Sequence, residues 1–268
     1  MSDVLPPGAC IGILGSGQLG RMLALAARSM GYRVQTLSPD RDSPTGQVAD
    51  REVVADYTDL DAVAAFAAAV DVVTFEFENI PIETAEAAAR AAPVRPAGRV
   101  LHICQNRLRE KTFLADHGIP VVPFRPVQDR SQLEAATAAL GFPCVLKTAG
   151  FGYDGKGQRV LQGTTDLDAA WQALGAAPCV LEAFIGFDRE VSVVIARGLD
   201  GDIRHWGVNE NRHHQHILDQ TTPDAPLAAG VRDQAIAISR AIVEQLDVVG
   251  VLCVEFFVTD GDRRLLVN

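Results

Sequence analysis

The apolar residues of this chain gather into short runs separated by stretches with helical spacing. Cys10-Ile-Gly-Ile-Leu14, Arg33–Leu37 and Asp71-Val-Val-Thr-Phe-Glu-Phe77 read as strands. After the first run Leu19, Met22, Leu23, Ala26 and Met30 fall on one helical face, and alanine-rich helices are expected over Leu60–Ala69 and Glu83–Ala92. Strand and helix in alternation predict a parallel sheet with right-handed crossovers. Ala92-Pro-Val-Arg-Pro-Ala-Gly98 carries two prolines and a glycine behind a helix, so a domain boundary is set there, with residues 1–98 before it and 99–268 after it.

The second part has a different rhythm. A helix over about Val100–His117 is expected to lead into Ile119–Phe124, followed by a smaller subdomain over about 120–196 built as helix, strand, loop and strand. A long helix near Leu227–Leu246 then precedes apolar Val248–Val258 and Leu265–Val267, two strands joined at Thr259-Asp-Gly-Asp262. The pattern as a whole is α/β in its first part and α+β in its second.

Composition narrows the function classes. Twenty-four basic and 34 acidic residues leave a net charge of −10, which disfavours nucleic-acid and membrane-surface partners and permits local basic pockets for small anions. Five cysteines without a Cys-x-x-Cys pair, most of them inside apolar runs, read as reduced buried thiols in a cytoplasmic protein. No stretch of roughly 18 apolar residues and no signal-like N-terminus is present.

The chemistry concentrates in Lys147-Thr-Ala-Gly-Phe-Gly-Tyr-Asp-Gly-Lys-Gly-Gln158. A lysine at the end of the apolar run Phe142–Leu146 enters a loop of four glycines, whose backbone freedom lets N–H groups converge on phosphate oxygens; a hairpin turn is the plainer alternative. Gly15-Ser-Gly-Gln-Leu-Gly20, with Asp40 about 20 residues on, fits a dinucleotide fingerprint, another phosphate site or a structural turn. Glu76 and Glu78 alternate near a strand's carboxyl end, where one of them could touch a substrate. Cys179–Ile185 reads as a strand whose exit offers backbone groups to an adenine edge, with Glu182 and Glu190 holding donors or pairing with surface cations. Arg212-His213-His214-Gln-His216 lacks standard zinc spacing and reads as a polar active-site loop. Glu255, inside apolar Val251–Val258, implies a buried carboxylate in need of a cation, either magnesium or a structural ion pair.

Taken together, Gly15–Met22, Phe75-Glu-Phe-Glu-Asn79, Gly152–Gln158 and Glu255–Val258 with Leu265–Asn268 resemble the ATP-grasp superfamily, and within it the N5-carboxyaminoimidazole ribonucleotide synthetases. The resemblance spans nearly the whole chain. It implies a Rossmann-like pre-ATP-grasp domain followed by an ATP-grasp domain, and ATP-dependent ligation of bicarbonate to aminoimidazole ribonucleotide. It implies ATP contacts from Arg107, Lys147, Gly152, Tyr153, Asp154, Gly155, Lys156, Gly157, Gln158, Glu182, Ala183, Phe184, Ile185, Glu190, His213 and Asn268. Catalysis would fall to Asp154, Lys147 and Tyr153, substrate binding to Gln18, Leu19, Glu76, Asn79 and Asp154, and magnesium, or manganese in its stead, to Glu255. A homodimer is the family's common state.

Three rivals stand beside this reading: a formate-using transformylase, with glutamate in place of Gln18 and no Tyr153-Asp154 pair, an NAD-dependent oxidoreductase, and a non-catalytic nucleotide sensor. The family pattern continues past the position of Asn268 with a second metal-binding glutamate, an Ala-Pro-Arg-x-His-Asn-Ser-Gly stretch and a small C-terminal domain. None of these is in the 268 residues, and a natural polypeptide that continues is the expectation.

Overall fold

A computed structural model of the chain describes residues 4–150, 157–215, 217–261 and 263–268. They divide into two compact units, residues 1–102 with 248–250, and residues 103–247 with 251–268.

The first unit is a four-stranded parallel sheet. Its elements in chain order are β1 Cys10–Leu14, α1 Gln18–Ser29, β2 Arg33–Ser38, β3 Arg51–Val54, α2 Leu60–Ala67, β4 Val72–Phe75, α3 Ile82–Ala89 and α4 Gly98–Cys104, which crosses the division. The strand order is β3-β2-β1-β4, with Leu14 opposite both Leu37 and Phe75. β1 and β2 are buried on both faces, as central parallel strands require. One core gathers Leu14, Leu37, Val63, Phe66, Val73, Ile80 and Leu101; a second, smaller one holds Ile13, Ala24, Ala27 and Val34.

Helix α1 leaves its large apolar face exposed. Its sheet-facing side is Gly20, Ala24 and Ala27, while Leu19, Met22, Leu23 and Met30 are exposed. Small residues win that face because the helix lies close: a Cβ on Gly20 would stand 2.4 Å from Thr45 Oγ1. The alanines of α2 and α3 serve the same close packing, with Ala67, Ala87 and Ala88 in the core.

The second unit starts with α5 Arg107–Asp116. The single helix expected over about 100–117 is two, because Asn106 leaves helical torsions and its side chain accepts the Arg109 N–H, capping α5. Next come β5 Phe124–Val127, α6 Arg130–Leu140, β6 Cys144–Thr148, β7 Gln158–Leu161, α7 Leu167–Ala173 and β8 Cys179–Ala183. The strands pair antiparallel in the order β5-β8-β6-β7, and the two helices cover a core of Leu133, Leu146, Leu161, Trp171 and Leu181.

A six-stranded sheet completes the unit. It contains β9 Arg189–Arg197, β10 Ile203–His205, β11 Asn209–His214, β12 Ile217–Thr222, β13 Gly250–Thr259 and β14 Arg264–Val267, in the order β12-β11-β9-β13-β14 with β10 on β9. α8 Ala229–Gln245 packs on β9 and β14. The segment expected as a polar loop, Arg212–His214, is instead the end of strand β11, paired with β12 through a register shift between Arg212 and His213. β11 and β12 are polar and largely exposed at this end, so neither carries the apolar alternation by which strands are recognised.

Candidate active site

Antiparallel pairing of β6 with β8 sets Val145 opposite Glu182 and Lys147 opposite Val180, so Lys147 and Glu182 share one face of the sheet. Helix α5 is tied to the same place by Arg107 N–H donating to Ala149 C=O at 2.7 Å, and one turn later it presents Lys111 beside Arg107. The three cations converge on one carboxylate. Lys147 Nζ lies 2.8 Å from Glu182 Oε2, while Lys111 Nζ and Arg107 Nη1 lie 3.3 and 3.6 Å from Oε1.

Lys111 and Glu182 are buried, Lys147 nearly so, and Arg107 is a third exposed. Burial alone would raise the Glu182 carboxyl, but Lys111, Lys147 and Arg107 outweigh it and hold it below the ordinary range. Burial pulls both lysines below the usual lysine range, Arg107 repulsion adds to it, and Glu182 opposes it. The carboxylate thus pairs with cations, as its plainer reading held, but in the interior rather than at the surface. Three positive groups against one negative leave a surplus that an anion would neutralise.

The phosphate-loop residues Gly152, Tyr153, Asp154, Gly155 and Lys156 lie outside the described residues. The positions flanking them are in place: Thr148 N–H donates to Gly157 C=O at 2.8 Å, Gly157 adopts φ +75°, and Gln158 pairs with Lys147 across β6 and β7. At the exit of β8 the Ala183 and Phe184 N–H groups donate to Pro123 and Pro143 carbonyls. A ligand at this exit would therefore meet the other backbone groups of 182–185, beside the exposed ring of Phe184.

Glu190 stands at the start of β9 opposite Asn211 of β11, with its Oε2 3.1 Å from His213 Nδ1. Both line an open cleft of about 670 Å³ with Phe187, Arg189, Asn211 and Arg212. Burial raises the Glu190 carboxyl and Glu255 raises it further, against the pull of His213 and Lys147. Glu210, also at the cleft, lies 3.4 Å from both Arg189 and Arg212.

Glu255 is exposed, which corrects the expectation of a buried carboxylate. β13 alternates: Val254, Phe256 and Val258 face the core, while Val251, Cys253 and Glu255 face outward, so an apolar run hid an open face. Asn268 lies beside it, its N–H donating to Glu255 C=O at 3.0 Å. Among the described residues no three His, Cys, Asp or Glu side chains cluster as a metal cage. An exposed carboxylate on a strand suits magnesium, which takes one or two carboxylates and completes its shell with phosphates and water.

In the first unit, Gln18 and Leu19 follow β1 while Glu76 and Asn79 follow β4, its parallel neighbour, so all four stand at one end of the sheet. That is the carboxyl end, where open α/β sheets bind ligands. Glu76 is already engaged: its Oε1 accepts the Gly17 N–H at 2.7 Å. A Cβ on Gly15 would meet Glu76 Oε1 at 2.7 Å, so the fingerprint's glycines make room for Glu76 and Thr45. Asp40 is exposed, with its N–H donating to Ser38 Oγ.

Sequence reasoning missed Lys111, Arg189, Glu210 and Asn211. For Lys111 the signal was available: it lies four residues past Arg107 on one helix face.

The described residues contain no helix long and apolar enough to cross a membrane. Residues 112–268 match the ATP-grasp domain family, and residues 9–105 match the ribonucleotide synthetase preATP-grasp domain family. The chain is 44% identical to an N5-carboxyaminoimidazole ribonucleotide synthase of Brucella melitensis over 98% of its own length and 73% of that protein. It is 39% identical to the synthase of Bacillus subtilis over 99% and 70% of the two lengths. Among solved structures, an ADP complex of an N5-carboxyaminoimidazole ribonucleotide synthetase superposes with a TM-score of 0.95 at 41% identity, covering all of this chain and 71% of that one.

Proposed function

The chain belongs to the N5-carboxyaminoimidazole ribonucleotide synthases of the ATP-grasp superfamily, and we propose that its residues divide the reaction between a nucleotide grip and a substrate end. The activity is ATP-dependent ligation: bicarbonate and 5-aminoimidazole ribonucleotide become N5-carboxyaminoimidazole ribonucleotide, with ADP and phosphate released, in purine biosynthesis. The observation that carries the reading is the surplus of cations around Glu182, set at the foot of the glycine-rich loop.

The ATP phosphates are assigned to Lys147, Arg107 and the 152–158 loop; Glu182–Ile185 take the adenine edge, and Glu190 with His213 the rest of the nucleoside. A bicarbonate oxygen attacks the γ-phosphorus, ADP leaves, and carboxyphosphate forms. The amine of the aminoimidazole then bonds to the carboxyl carbon, delivered directly or as released carbon dioxide; in either route phosphate departs with the C–O electron pair and the nitrogen loses a proton. Positioning and charge neutralisation supply most of the rate, so no covalent protein intermediate is needed. We assign catalysis to Asp154 and Tyr153 with Lys147, and binding of the ribonucleotide to Gln18, Leu19, Glu76, Asn79 and Asp154, as the family resemblance implies.

Glu255, with Asn268 beside it, would hold magnesium, or manganese, which when bound neutralises charge on the phosphate oxygens. The Rossmann-like part is residues 1–98 and the ATP-grasp part 99–268, with a lid over about 120–196 that closes to keep water from carboxyphosphate. We place the protein in the cytoplasm as a homodimer.

The test compares nucleotides first. Magnesium-ATP should raise the melting temperature, while NAD and NADP should leave it unchanged. Lys147→Ala should weaken ATP binding, and Asp154→Ala should spare it but abolish phosphate release that depends on the aminoimidazole. A reproducible NAD shift without an ATP shift overturns the assignment; equal loss of ATP affinity in both variants overturns the division of labour.

A further inference from the structure

Glu182 has more partners than one carboxylate needs, and the three differ in what else they can do. Lys147 is 15% and Arg107 32% exposed, so either can reach a ligand, whereas Lys111 is 1% exposed at the side chain. Among the described residues neither Lys111 Nζ nor Glu182 Oε1 has a hydrogen-bond partner. The 3.3 Å ion pair between these two groups is therefore what compensates the Lys111 charge.

We propose that Lys111 is a positioning residue for the nucleotide, the standing counter-ion of Glu182 that lets Lys147 and Arg107 turn from that carboxylate to the ATP phosphates. The inference rests on the ATP-grasp reading of this site. Glu182 Oε2 holds Lys147 at 2.8 Å. A phosphate that draws Lys147 away leaves a buried carboxylate behind, which is strongly unfavourable when nothing else neutralises it. Lys111 is already in place on Oε1, fixed by α5 and with no route to solvent. Without it, Glu182 would compete with ATP for Lys147.

The experiment measures ATP affinity by calorimetry in the whole chain carrying Lys111→Met, Glu182→Gln or both, with melting temperatures recorded alongside. Lys111→Met should bind ATP about 10-fold more weakly or worse. Adding Glu182→Gln should recover most of the loss, because the competing carboxylate has gone. Were Lys111 merely packing, the second substitution would restore nothing. If Lys111→Met does not fold, the doubly neutral variant still decides, since it should fold and bind ATP within about threefold of Glu182→Gln alone.

Nitrogen NMR of the lysine side chains tests the wild type directly. ATP should move the Lys147 ammonium resonance and leave that of Lys111 nearly in place; the reverse overturns the proposal. Normal ATP binding by Lys111→Met, or no recovery in the double variant, overturns it as well. Absence of ATP binding by the wild type would instead bring down the nucleotide reading and this inference together.

Discussion

Glu76 Oε1 accepts the Gly17 N–H at 2.7 Å, so the glycine-rich turn after β1 is held by a carboxylate of the protein itself. In a dinucleotide site that N–H end of the helix faces a pyrophosphate. Here a negative side chain already stands on it, and a second anion there would be repelled. Thr45 reinforces the turn, its hydroxyl donating to Gly17 C=O at 3.0 Å and its N–H to Ser16 C=O at 3.0 Å.

The crowding predicts what Gly20→Ala does. The new Cβ would lie 2.4 Å from Thr45 Oγ1 and 3.1 Å from Glu76 Cγ, so α1 must lift or Thr45 must turn. Urea denaturation should show a loss of about 1–3 kcal/mol. Thr45→Ala in the same chain should restore part of it, a coupling absent if Gly20 only supplied flexibility.

Tyr57 gives a prediction in alkali. Burial first, then the charges of Glu76, Asp40 and Asp56, push its phenol up to about 12; its ring stacks on Phe77 at 6.2 Å. The unfolded value is about 10, so between these two pH values the folded chain binds more protons than the unfolded one. Its contribution is complete below about pH 10 and is lost as pH rises toward 12. Tyr57→Phe should flatten that part of the stability–pH curve. An unchanged slope in the variant would remove Tyr57 from the explanation.

How far the sequence carries depends on whether an element's reason is local. β1 and β4 are legible because they are short apolar runs, and the helices after them because their apolar and alanine spacing is periodic. The spacing of Leu19 and Met22 marks α1 as a helix but does not name its packed face, because the sheet takes the small residues Gly20, Ala24 and Ala27. Glu255 was misjudged for a like reason, since an apolar run does not say which of its two faces is covered. Lys147 and Glu182 were legible as types near a glycine loop. Their meeting with Lys111 depends on the β6–β8 register and the docking of α5, which no local pattern contains.

Glu190 should behave as an unfavourably placed carboxylate. Its folded-state pKa is raised, by burial first and Glu255 next, so its proton is held more tightly folded than unfolded. The stability tied to that proton is present at acid pH, below the unfolded value of about 4.3, and is lost as pH rises through the folded value. Glu190→Gln should therefore raise the melting temperature at neutral pH more than at about pH 4. The same variant should bind ATP less tightly. Equal stabilisation at both pH values would show that the gain does not come from the charge.

Glu255→Gln tests the metal assignment without disturbing the fold. The side chain faces outward on β13, and the contact beside it, Asn268 N–H to Glu255 C=O, belongs to the backbone and survives the change. Apo stability should therefore stay within about 0.5 kcal/mol of wild type. A glutamine keeps the shape and an oxygen but loses the charge that opposes a divalent ion, so the effect should appear only with magnesium and nucleotide together. Phosphate release dependent on bicarbonate and aminoimidazole should fall by about a hundredfold or more at ordinary magnesium, consistent with the several kcal/mol that such an ion supplies. The magnesium-dependent part of the ATP melting shift should shrink with it, while ATP binding without magnesium stays as in wild type. If the variant turns over normally at ordinary magnesium, Glu255 holds no catalytic ion, and its proximity to Glu190 would be electrostatic alone.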